Sequence, residues 1–159
     1  SLWFASSFPQ AHVVAVEPDP GNASILRENL SDLPTAVVLE AAIGAQAGHV
    51  TVQQSGYSWG SRTERSQHGT PVVTMQEAFA ASTGDTPFIV KIDIEGFEED
   101  LFASNCDWIE RCFGIFVEPH DWMIEDRRSS STFQQALSKH PMRLYIRGEN
   151  LLYVRDVSL

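Results

Sequence analysis

Apolar residues gather in short runs broken by polar stretches rich in Gly and Pro, and the runs switch between strand-like and helix-like spacing. The chain opens with SLWFASSF (1–8), where Leu2, Ala5 and Phe8 share a helical face and Pro9 closes the run. HVVAVE (12–17) reads as a buried strand. Asp19 and Pro20 then make an N-cap and first-turn pair for a helix over 21–30, with Ile25, Leu26 and Leu30 on one face. TAVVL (35–39) is the next strand, followed by a small, flexible segment at 40–45. HVTVQQ (49–54) alternates as a half-exposed strand and PVVTM (71–75) is a short one; together they suit an antiparallel excursion from the main sheet. Between them lies a polar loop, 55–70, and after them a short helix, 76–81, with Thr74 as cap. FIVKIDI (88–94) is a strand that turns through Gly96 into a helix over 97–105, with Phe97, Leu101 and Phe102 inward. GIFVE (114–118) is a strand, 124–131 a polar flap, and 132–140 a helix burying Phe133, Ala136 and Leu137, capped by Ser131 or Thr132. Two strands, 142–147 and 150–155, close a hairpin through Gly148 and Glu149. This alternation predicts one α/β domain over 1–159: a doubly wound, mostly parallel sheet with a C-terminal antiparallel hairpin.

Charges at the strand ends carry the chemistry. Period-two alternation places Lys91, Asp93 and Glu95 on one face of the 88–94 strand. Such charges are costly in a core unless paired, hydrated or used on a ligand. Ligands of open α/β sheets sit beyond the carboxyl ends of the strands. Glu17, Asp93 with Glu95, and Glu118 all fall at such ends. Glu17 is either a ribose-binding acid or a solvated carboxylate. His120 follows Glu118 and is either a general base or an exposed loop histidine. Tyr57 and Trp59 either stack on a ligand or anchor their loop.

Composition narrows the classes. Of 159 residues, 43% are hydrophobic and 20% charged, an ordinary globular balance. The net charge of −10 argues against nucleic acid or an anionic membrane as partner. Cys106 and Cys112 lack metal or redox spacing, so no metal is expected and the thiols suit a reducing cytoplasm.

Four stretches, VVAVEPDPGNASILRENL, VVLEAAIGAQAGHVTV, FIVKIDIEGFEEDLF and IFVEPH, resemble the FkbM family of S-adenosylmethionine-dependent methyltransferases, with K-I-D-I-E-G-x-E as the most specific signature. The resemblance implies a Rossmann-like class I sheet of seven strands and S-adenosyl-L-methionine as cofactor. Glu17 and Pro18 of E-P-D-P would hold the cofactor ribose; Ala41, Ala42 and Ile43 would flank its adenine. Asp93 would lie near its reactive end, with Glu95, Gly96, Glu118 and His120 along the acceptor side. Asp93, Glu95 and His120 are the candidate bases for O-methylation of a hydroxyl on a small molecule or glycan. The family's first central strand and glycine-rich loop, which precede the SLWFA region, are not in this sequence, so the first helix is expected to be the back half of a longer one. A non-catalytic domain and an NAD-dependent oxidoreductase are the rival readings.

Overall fold

The computed structural model describes residues 1–54, 61–83, 86–121 and 129–156. Local chemistry sets most element starts. Helix α1 (Leu2–Ser7) buries only Ala5 and leaves Trp3 67% exposed. Strand β1 (Val13–Glu17) leads into α2 (Pro20–Asn29), where Asp19 accepts a hydrogen bond from Asn22 N at 2.9 Å and Pro20 fills the first turn, as expected. Its inward residues are Ala23 and, just beyond its end, Leu30. Ile25 points outward, because the small Ala23 lets the helix lie close and sets which face turns in.

Strand β2 (Ala36–Glu40) runs parallel to β1, with Glu17 opposite Glu40. The segment expected to be flexible is strand β3 (Ala42–Ile43), and its residues are buried. It is immobilised by parallel pairing with β6 (Thr70–Val73). Strand β4 (Gly48–Gln54) pairs antiparallel with β6, which is the expected excursion, and also with β5 (Ser61–Ser66). Residues 61–66 of the stretch predicted as loop are therefore strand. Thr74 starts α3 (Met75–Ala80) with a complete capping box, its hydroxyl bonding Glu77 N and the Glu77 carboxylate bonding Thr74 N.

Strand β7 (Ile89–Ile92) is shorter than its apolar run because the chain turns at once: Phe97 N bonds Ile94 O, and Glu95 and Gly96 both have positive φ, 51° and 89°. The expected long helix is a single turn, α4 (Glu98–Leu101), then a separate 3-10 helix, Cys106–Arg111, entered through left-handed Asn105. Strand β8 (Gly114–Val117) pairs parallel with β7. Helix α5 (Ser129–Leu137) is capped by Asp121, whose Oδ1 accepts from Ser130 N at 2.8 Å, rather than by Ser131 or Thr132. Strands β9 (Met142–Arg147) and β10 (Asn150–Arg155) form the predicted hairpin, with β10 against β8.

The protein is thus a mixed α/β fold, but not one continuous sheet. The strands form three sheets, ordered β1-β2, β3-β6-β4-β5 and β7-β8-β10-β9. Among the described residues no strand lies between β1 and β7, so each keeps an unpaired edge. Val14 and Val16 of β1 nevertheless pack on the same core as Ile92, Ile115, Val117, Leu101 and Phe133. The thiol of Cys112 is inside that core, and burial pushes its pKa up to about 12, which leaves it inert. Among the described residues no helix is long and apolar enough to cross a membrane.

Candidate functional site

Register builds the site. Ile92 lies opposite Val117, and Glu118 N bonds Ile92 O at 3.0 Å, so β7 and β8 end level. Asp93 and Glu118 therefore emerge side by side. Lys91 Nζ bridges them, 2.7 Å from Asp93 Oδ2 and 3.3 Å from Glu118 Oε2. Burial pulls the Lys91 pKa down, but the hydrogen bonds and charges of Asp93 and Glu118 outweigh it, and the ammonium is held above the usual lysine value. Of the three charges assigned to one strand face, Lys91 and Asp93 meet as expected. Glu95 does not follow them, because its positive φ turns the chain away to α4.

Behind this mouth is a buried acid–imidazole pair. Glu98 is 0% exposed and His120 6% exposed, so His120 is not an exposed loop residue. Glu98 Oε1 accepts from His120 Nδ1 at 2.8 Å and from Gly96 N at 3.3 Å. His120 Nε2 lies 3.6 Å from Asp93 Oδ1. The hydrogen bond to Glu98 raises the His120 pKa most; burial opposes it, and the charges of Glu98, Asp93 and Glu118 add to the rise. The imidazole therefore keeps its positive charge to higher pH than an ordinary histidine. Ligand-type atoms of Asp93, Glu118 and His120 lie within 4.8 Å of one another, a spacing that in outline suits a divalent cation. Lys91 already pairs with both carboxylates and offsets part of their charge.

The residues expected at the cofactor form a separate cluster. Glu17 Oε1 accepts from Asp19 N at 2.9 Å, which fixes the carboxylate, and Oε2 takes no partner among the described residues. That is the arrangement a vicinal diol requires: an oriented acid with a lone-pair face to spare. Ala41 N bonds Glu17 O at 3.1 Å, joining the segment expected at the adenine to the acid expected at the ribose. The side chains of Ala41, Ala42 and Ile43 are buried in the core. Pro18 lines a groove of about 310 Å³ with Asp19, Pro20, Val50, Thr51, Val52, Gly69 and Thr70. This groove touches none of Asp93, Glu118 and His120. Tyr57, Trp59 and most of the polar 124–131 stretch lie outside the described residues.

Glu98 was missed by sequence reasoning. It is the last letter of K-I-D-I-E-G-x-E, yet beside Glu99 and Asp100 it looks like one more acid favoured in a first helical turn. The signal available was the motif itself, which repeats an acid three residues after Glu95 across a glycine.

No curated protein and no solved structure matches the chain. A family model, the methyltransferase FkbM domain, matches residues 1–151. With strand-end acids, the E-P-D-P turn and the K-I-D-I-E-G-x-E reversal in their expected order along that span, the chain belongs to the FkbM methyltransferase family.

Proposed function

We propose that the protein is an S-adenosyl-L-methionine-dependent methyltransferase that methylates a hydroxyl of a small molecule or glycan, in the cytoplasm and without nucleic acid or membrane partners. One observation carries the reading: in a chain of this family, the level ends of β7 and β8 gather Asp93, Glu118 and His120 at one carboxyl edge. The sheet order supports a doubly wound class I arrangement. Laid side by side, β2-β1 and β7-β8-β10-β9 supply six strands, with one place between β1 and β7 for the central strand that the resemblance implies.

Glu17 would hold the ribose hydroxyls through the oxygen left by Asp19, with Pro18 and the 41–43 segment beside it. The cofactor, when bound, supplies an electrophilic methyl whose bonding pair returns to sulfur as the acceptor oxygen takes the carbon. The protein must orient the acceptor and take up its proton. Asp93 and His120 are the groups at that edge able to do so, and Lys91 tempers the charge of Asp93. Calorimetry with S-adenosylmethionine tests the reading first: binding is expected, and its absence favours a non-catalytic domain. Methyl transfer from labelled cofactor to a panel of sugars and phenols then tests the site. Asp93→Ala and His120→Ala should each cut turnover at least tenfold, and undiminished turnover in both would sink the assignment.

A further inference from the structure

We infer that Glu98 is a positioning residue: it fixes the orientation and tautomer of His120, so that Nε2 is the ring nitrogen presented to the Asp93–Glu118 mouth and the atom that takes the acceptor's proton. The inference rests on the methyltransferase reading and deepens it.

The geometry is specific. Glu98 is the charged side chain with no exposure among the described residues, and burying a carboxylate costs several kcal/mol unless something compensates. What compensates here is two donors on one oxygen, His120 Nδ1 and Gly96 N. Oε2 is buried without a hydrogen-bond partner among the described residues. The large majority of buried side-chain polar atoms have a partner. Glu98 is held under-satisfied at a fixed distance from one ring nitrogen.

A carboxylate can only accept, so the Nδ1 it faces must carry hydrogen. In the neutral ring that leaves Nε2 bare, pointing toward Asp93 Oδ1 at 3.6 Å. Asp93 is 43% exposed and Glu118 24%, which opens this side of the ring, and not the Glu98 side, to an incoming hydroxyl. As the acceptor's O–H bond breaks, Nε2 takes the proton and Nδ1–H stays with Glu98. The resulting imidazolium stands between Glu98 and Asp93, with Glu118 and Lys91 completing the charges that face it. Asp93 then orients rather than abstracts. The same surroundings raise the His120 pKa, so the bare nitrogen becomes populated at higher pH than in an ordinary histidine.

The test is a long-range proton–nitrogen correlation spectrum of the full chain, labelled with nitrogen-15 and titrated from pH 5 to 10. The His120 signal is assigned by its loss in His120→Gln. In the wild-type protein the neutral ring should carry its proton on Nδ1; a neutral ring protonated on Nε2 overturns the inference. In Glu98→Gln the His120 titration midpoint should fall by about one unit or more, since a hydrogen-bonded carboxylate has been removed. An unchanged midpoint overturns it equally. Should Glu98→Gln not fold, the wild-type tautomer still decides. The spectrum needs no ligand, so it stays readable if S-adenosylmethionine does not bind, a result that would count against the function and not against the tautomer.

Discussion

Two carboxylates two residues apart on α4 have opposite fates. Asp100 is fully used: Oδ1 accepts from Ala45 N at 3.2 Å and Arg65 Nη2 at 2.6 Å, and Oδ2 accepts from Arg65 Nε at 2.8 Å. The Arg65 guanidinium also lies 5.6 Å from the Phe97 ring centre. This clamp ties the β3-β6-β4-β5 sheet to α4 in a partly wet setting. Glu98 is wholly buried, bonded through one oxygen, with the other unpaired among the described residues. Satisfied geometry marks a brace, whereas a buried group left short of partners marks chemistry.

The largest expected difference is in stability. Glu98→Ala strands an imidazolium in the core and should cost about 3–5 kcal/mol at pH 6, measured by urea denaturation. Asp100→Ala removes charge-assisted bonds that water partly replaces, so about 1.5 kcal/mol is expected by the same measurement. A reversed order would break the comparison. The clamp is also tight: a Cβ on Gly44 would lie 2.6 Å from Asp100 Oδ1 and 2.8 Å from Arg65 Nη2. Gly44→Ala should therefore cost about 1–2 kcal/mol, and a neutral result would mean that the clamp yields freely.

pH separates the two carboxylates differently. His120 has a raised pKa in the folded state, so its stabilising contribution is fully present below the unfolded value of about 6.5 and is lost as pH rises through the folded value. Wild type should lose stability relative to His120→Gln as pH rises from the unfolded value through the higher folded one, and Glu98→Gln should flatten that loss. The Arg65 pKa is raised by its bond to Asp100, so the guanidinium stays charged throughout that range. A slope at Arg65→Gln as steep as that at His120→Gln would erase the distinction. The smallest effect concerns the turn between the two strand-end acids. Glu95 pays for its left-handed backbone, and Glu95→Gly should raise stability by about 1 kcal/mol in thermal denaturation.

What the sequence disclosed followed how local each cause was. The Asp19–Pro20 start, the Thr74 cap and the Gly148 hairpin rest on neighbours within a few residues, and all formed as read. Ala42 and Ile43 became a strand only because β6, some thirty residues on, pairs with them. Ile25 was misassigned because the inward face depends on how closely Ala23 lets α2 approach. In the site, strand-end acids were legible from alternation, and Asp93, Glu118 and His120 do meet. Glu98 was not, because its meaning lies in a partner, His120, on another strand end.

The reversal at Glu95 and Gly96 carries a consequence for how this chain can vary. Glu98 reaches His120 only because the five residues of backbone from Asp93 are folded back through two positive-φ residues. A change in the number of residues between Asp93 and Glu98 would break this reach even with both acids kept. One inserted residue would rotate the face of α4 by about 100° and carry Glu98 away from the imidazole. The site is encoded in chain length as much as in residue identity, so insertions and deletions between 93 and 98 should be far rarer in functional variants than substitutions.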